Sequence, residues 1–154
     1  MNESILMTVS EFQQTGGHNV VINNLSKEIS KLGYSVTIGA FSFKEKPSEG
    51  IDHLKIKKNP LKKNEWQDKF NLIHNHETKL NYYSLYSKKP FIFHYHGVMG
   101  QIQKMNLSIS LKLCQRYISK IISVSDSALN DIPKNTKEKI PTLGIYNGVN
   151  NNFF

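Results

Sequence analysis

Thr15 to Ala40 reads TGGHNVVINNLSKEISKLGYSVTIGA, and this stretch decides the fold. From His18 onward Val21, Leu25, Ile29 and Leu32 recur at helical spacing. Gly33 then stands where a helix C′ residue belongs, because that position favours a left-handed backbone. Tyr34 to Phe41 follows as a strand rich in β-branched and aromatic residues. The apolar run Ser4 to Val9 comes before as a buried strand, and Ser10 to Gly17 reads as a polar loop ending in Gly-Gly. Strand, glycine turn, helix, glycine and strand make a βαβ unit, whose two strands are parallel.

The alternation continues downstream. Ile51 to Ile56 reads as a third, edge-like strand, and Lys55 to Phe70 as a basic loop leading into a short helix. Phe70 to His76 is a fourth strand with a helix after it, Glu77 to Ser87. Phe91 to Gly97 is the fifth strand, and Gln101 to Ile118 is helical. Lys120 to Ser125 is the sixth strand, followed by a short helix from Asp126 to Ile132. Pro141 to Gly148 is the seventh, closed by an Asn147-Gly148 turn in which both residues tolerate positive φ. The pattern predicts the α/β class: a doubly wound, mostly parallel sheet of about seven strands with helices on both faces, Rossmann-like. No repeat or linker divides the chain.

With 154 residues, 38% hydrophobic and 21% charged, the chain suits one globular domain with a real core. Cys114 is the only cysteine, so no intrachain disulfide can form, which suits a reducing compartment. The opening MNESILMTVS lacks the basic start and the apolar length of a signal peptide. No run approaches a membrane-spanning length. A cytoplasmic protein is expected, soluble or held peripherally at the inner face of a membrane. The net charge of +8 points to an anionic partner or to a lysine-rich solvated surface. No aromatic stacking platform stands among the basic residues, so nucleic acid is not an expected partner.

In an open parallel sheet ligands sit beyond the carboxyl ends of the strands. Gly16 and Gly17 lie there, before a helix N-terminus, where close backbone approach and unpaired N–H groups suit a phosphate or carboxylate. His74 and His76 end one strand, and His94 and His96 end the next. Residues two apart share a face, so each pair can converge. His74 and His94, deeper in their strands, read as packed core groups bonded to backbone. His96, followed by Gly97, is best placed to touch a ligand. A zinc site using these histidines and Glu77 is the competing reading, but neither pair extends into a longer ligand motif, so no metal is expected. Ser125 reads as the cap of the helix starting at Asp126.

The helix from Gln101 carries two apolar stripes. Ile102, Met105, Ile109, Leu113 and Tyr117 form one, and Leu107, Leu111, Cys114 and Ile118 the other. One must cover the sheet. The second is expected to pack on a neighbouring helix, or else to meet an anionic membrane or a partner, helped by the lysines of KIKKNPLKK.

Taken in order, TGGHNVVINNLSKEISKLGYSVTIGA, FNLIHNHET, PFIFHYHGV, KIISVSDS and YNGVNNNFF resemble the N-terminal half of the family 4 retaining glycosyltransferases. The resemblance covers nearly the whole chain, although residues 43–68 carry none of it. It implies an enzyme of GT-B type, with two Rossmann-like domains facing a deep cleft. The first domain would hold the acceptor, carbohydrate or lipid-linked. The second would hold a nucleotide-sugar donor, such as a UDP- or GDP-sugar, with no other cofactor. Residues 1–146 would be the acceptor-side domain, and 147–154 the start of the interdomain hinge, entered by Asn147 and Gly148. Gly16 and Gly17 match the glycine loop that meets the donor phosphates and the acceptor, with His18 beside them. His96 with Gly97 matches the histidine at the mouth of the cleft near the transferred sugar. Thr15, His76, Glu77 and Ser125 are further cleft-lining candidates. Asn150 stands where the family usually has Asp.

On this reading the donor-binding half lies beyond the present chain, and the 154 residues alone are expected to be inactive. A Rossmann-type binding module without chemistry is the alternative, and a histidine-ligated metal hydrolase a further one.

Overall fold

A computed structural model describes residues 3–60, 62–97 and 100–148. Seven strands form one sheet: β1 (Ser4–Phe12), β2 (Ser35–Phe43), β3 (Asp52–Lys55), β4 (Leu72–Asn75), β5 (Phe91–Tyr95), β6 (Lys120–Ser123) and β7 (Thr142–Gly144). The strand order is β3-β2-β1-β4-β5-β6-β7, and every neighbouring pair is parallel. The order reverses between β1 and β4, so the ligand crevice of a doubly wound sheet belongs at their carboxyl ends. β3 is an edge strand, as its sequence suggests.

Two cores follow from strand alternation. Ile5, Met7 and Val9 of β1 join one cluster with Ile22 of α1 (Gly17–Lys31), while Leu6 points into the other. The second core gathers Leu80 and Tyr83 from a 3-10 helix (Thr78–Tyr86), Leu107 and Leu111 from α2 (Gln101–Cys114), and Ala128 from α3 (Asp126–Asp131). A further short helix, α4 (Lys134–Lys137), precedes β7.

Several local expectations change. Ser10 to Phe12 is strand rather than loop, because Glu11 and Phe12 stay in register with Ser42 and Phe43. Phe12 is fully buried there, which stabilises the longer strand by roughly 1.5–3 kcal/mol. The predicted helix from Glu77 to Ser87 is a 3-10 helix. The predicted helix from Gln101 to Ile118 stops at Cys114, because Ser119 N–H must already bond to Phe91 O to begin β6 pairing. α1 buries Asn19, Ile22, Asn23 and Ser26 fully, whereas Leu25 and Ile29 are partly covered and Leu32 is exposed. Two of the polar residues are bonded there: Asn23 Oδ1 accepts from Ser48 N–H and hydroxyl, and the Ser26 hydroxyl donates to Asn23 O.

Gly33 takes φ +95 after α1, as a C′ residue should. β7 is shorter than predicted, and Asn147 and Gly148 are exposed without the left-handed backbone expected of an Asn-Gly turn. The remainder of the anticipated hinge, 149–154, lies outside the described residues.

Candidate functional site

The crevice between β1 and β4 is where the predicted residues gather. Gly16 (φ +84) and Gly17 (φ +43) make the turn from β1 into α1, in backbone that side-chain-bearing residues rarely adopt. Gly16 is the N-cap and offers no side-chain cap, so the first N–H groups of α1 remain available. His18 follows on the first turn. Its ring lies 5.6 Å from that of His96, which leaves the end of β5. Gly97 then turns the chain at φ +88.

The four strand histidines form a ladder. Ring centres of His74 and His76 are 4.4 Å apart, those of His94 and His96 4.6 Å, and those of His76 and His96 5.3 Å. His76 Nδ1 lies 3.0 Å from His96 Nε2, a hydrogen bond in which one ring donates and the other accepts. Burial drives the pKa of His74 down to about 3 and that of His94 to about 4. Burial, with the neighbouring His94 and His18 rings, holds His96 at about 3, and His76 lies well below its ordinary value for the same first reason. All four are neutral imidazoles at physiological pH.

His74 and His94 are buried as expected, but not through backbone bonds. His74 Nε2 and both ring nitrogens of His94 lack hydrogen-bond partners among the described residues, and the two rings stack at 5° instead. One nitrogen from each of His74, His76 and His94 falls within 4.8 Å of the others, the one such cluster among the described residues. Near-parallel stacking suits packing better than ligation, since ligands of one ion turn their nitrogens towards a common centre.

Glu77 is anchored rather than free. Its Oε1 accepts from Ser10 N–H (3.1 Å) and hydroxyl (2.8 Å), and lies 3.4 Å from His18 Nε2, within ion-pair range but out of line for a hydrogen bond. Lys79 Nζ approaches Oε2 at 3.3 Å. Burial acts to raise its pKa, but the contacts from His18 and Ser10 outweigh it and hold the carboxyl at about 2. Glu77 is therefore a permanent carboxylate, unsuited to general-acid work.

A hollow of about 510 Å³ opens beside this constellation, lined by His18, His76, Glu77, His96 and Gly97, with Tyr82, Phe93 and Tyr95 giving aromatic walls. Gln103, Asn106 and Ser110 of α2 and the exposed Lys79 add hydrogen-bonding groups. Thr15, Gly16 and Gly17 border α1 rather than this hollow, and Ser125 caps α3, its hydroxyl accepting from Ala128 N–H at 3.1 Å. Glu77 is the sole carboxylate among its described lining residues.

Sequence reasoning missed the residues that hold this site in shape. Asn75 is fully buried. Its Nδ2 donates to Asn81 Oδ1 (2.8 Å) and to Glu77 O (2.8 Å), while its Oδ1 accepts from Thr8 Oγ1 (3.1 Å) and Glu77 N–H (3.1 Å). Asn81 in turn donates to Ser110 on α2. Ser10, taken for loop, is the anchor of Glu77. The one available signal was an asparagine inside the apolar strand FNLIHNH, where a buried amide must be bonded.

Residues 15–153 match the sequence model of Glycosyltransferase Family 4. No curated protein matches the chain. Among solved structures, Anabaena HepE, crystallised with UDP and glucose, superposes with TM-score 0.70 at 16% identity, over 99% of this chain and 46% of that one. Sucrose-phosphate synthase from Thermosynechococcus elongatus superposes with TM-score 0.67 at 11% identity, over 96% of this chain and 91% of the solved chain. A glycosyltransferase from Rickettsia africae gives TM-score 0.58 at 18% identity, over 97% and 44%. These likenesses establish the fold, and the present chain spans under half the length of HepE.

Proposed function

Because the chain belongs to Glycosyltransferase Family 4, we propose that it is the acceptor-side domain of an enzyme that moves a sugar from a nucleotide-sugar donor to a carbohydrate or lipid-linked acceptor, with retention. Residues 1–146 form that domain in this reading. Residues 147–154 lead towards a donor-binding domain, and the 154 residues alone are inactive. Complexes of HepE with UDP and glucose support a UDP-sugar as one donor candidate.

One observation carries the reading: the rings of His18 and His96 meet at 5.6 Å, joining the glycine turn after β1 to the end of β5 across the crevice. A diphosphate placed at Gly16-Gly17 would meet the open N-terminus of α1, whose N–H groups and partial positive charge favour an anion. A sugar attached to it would reach His96. With a pKa of about 3, His96 is too weak a base to take a proton near neutrality, so its role is to hydrogen-bond a sugar hydroxyl. Its Nε2 is engaged by His76, so Nδ1 is the atom that makes this bond. Glu77, bonded to Ser10 and Lys79, holds His18 rather than attacking carbon. Catalysis in this scheme comes from orientation and from stabilising the departing diphosphate, without a metal.

Calorimetry of the 154-residue chain with UDP, GDP and their sugars tests the division of labour. A half-site is expected to bind them no tighter than about 1 mM. Micromolar binding by this chain alone would instead support a self-sufficient binding module.

A further inference from the structure

The two stripes of α2 have different fates. Leu107, Leu111 and Cys114 are buried on the sheet. Ile102, Met105, Ile109 and Leu113 of α2, and Tyr117 in the turn just beyond it, remain 44–72% exposed, and no element among the described residues covers them. The neighbouring helix that the sequence suggested for this stripe is not there among the described residues.

The charge around the stripe is one-sided. Between residues 101 and 125 there are four Lys or Arg and no Asp or Glu. Lys104 is engaged by Asp131 at 2.6 Å. Lys112 is exposed and, at about 100° per residue, flanks the stripe on the side away from the cleft, and the exposed Arg116 follows in the turn after α2. The opposite flank carries Asn106, Ser110 and Gln103, which line the hollow at His96. Around α2 the order is therefore cation, apolar stripe, cleft wall and core. An apolar helical face bordered by cations and lying on the surface is the arrangement that seats in the headgroup boundary of an anionic bilayer. A protein partner of the same apolar kind would not require a flank devoid of acids.

We infer that the Ile102–Tyr117 stripe is a membrane-docking face for anionic lipid, and that docking turns the mouth of the His96 cleft towards the bilayer surface. The binding claim is independent of catalysis. The orientation of the cleft rests on the glycosyltransferase reading and narrows its acceptor class to molecules presented at a membrane.

Co-sedimentation of the 154-residue chain with vesicles is the test. The chain is expected to sediment with phosphatidylglycerol/phosphatidylcholine vesicles, to remain largely in solution with phosphatidylcholine alone, and to be released by salt. Met105→Ser/Leu113→Ser should weaken the association at least about tenfold. Both residues are exposed, so the circular dichroism spectrum should be unchanged. Lys112→Glu/Arg116→Glu should weaken it comparably without removing any apolar surface. No association with anionic vesicles, or association indifferent to both double variants, would overturn the inference. So would a lipid-free dimer that Met105→Ser/Leu113→Ser converts to monomer, which would assign the stripe to a second copy. Loss of docking with sugar transfer intact would separate this claim from the catalytic one.

Discussion

His76 Nδ1 and His96 Nε2 lie 3.0 Å apart, so the histidine nearest the cleft is held by one buried behind it, which is itself in ring contact with His74 and His94. The ladder works only while its members are neutral, and that has a measurable consequence.

The folded pKa values of His74, His94 and His96 lie at about 3, 4 and 3, below the ordinary 6.5 of an unfolded histidine. Between these limits the unfolded chain binds more protons, so stability is complete above pH 6.5 and falls as the pH drops towards 3–4. Each histidine contributes a slope approaching ~1.4 kcal/mol per pH unit. Glu77, held at about 2, acts in the same direction at lower pH. Urea midpoints should already decline between about pH 7 and pH 5, before ordinary carboxylates titrate. His74→Leu should flatten that decline, and an equally steep decline in the variant would contradict the ladder.

Asn75 bonds to Thr8, Asn81 and both backbone groups of Glu77. Asn75→Ala leaves those buried partners unsatisfied and should cost about 3 kcal/mol in denaturant unfolding. Asn75→Asp sets a buried carboxyl oxygen against two acceptors, Asn81 Oδ1 and Glu77 O, so it should cost at least as much. A cost below about 0.5 kcal/mol for Asn75→Ala would show that the site does not depend on this network.

Gly16 and Gly97 occupy φ +84 and φ +88. Alanine at either should destabilise by about 1–2 kcal/mol through left-handed backbone strain. Gly144, without a left-handed φ and with Asp126 Oδ1 at 3.6 Å as the nearest neighbour of an added Cβ, provides the control, and Gly144→Ala should be within about 0.5 kcal/mol of the parent. Equal effects at the three positions would remove the conformational argument.

Metal content discriminates the hydrolase alternative. The purified chain is expected to contain zinc far below one equivalent, and added chelator should leave its unfolding transition unchanged. Equimolar zinc lost together with stability on His94→Phe would reassign the ladder as a metal centre.

Much of this was readable in advance. Short apolar runs and the 3.6-residue period located all seven strands and α1, because a doubly wound sheet buries both faces of its strands. The glycines and strand-end histidines were readable for the same reason: their place beyond the carboxyl ends follows from topology alone. What stayed hidden depends on side-chain partners distant in sequence. Ser10 looks like loop until Glu77 arrives to bond it, and Asn75 looks incidental until Thr8 and Asn81 surround it. The face of Leu25, Ile29 and Leu32 located α1, and Leu25 and Ile29 pack on the core, but Leu32 is exposed and the buried positions are Asn19, Ile22, Asn23 and Ser26. The two stripes of α2 were visible, but only the fold shows which one is left uncovered.

Sugar transfer, followed with its stereochemistry, tests the central claim most directly. The 154-residue chain, and a longer protein joining it to the proposed donor-binding domain, would be given UDP- and GDP-sugars with acceptors in anionic vesicles, and the product anomer read by proton NMR. The account predicts no transfer by the 154 residues, a retained anomer from the longer protein, and at least about a hundredfold loss of kcat/KM for His96→Ala in that protein. Transfer by the 154 residues alone, an inverted product, or full activity without the His96 ring would contradict it.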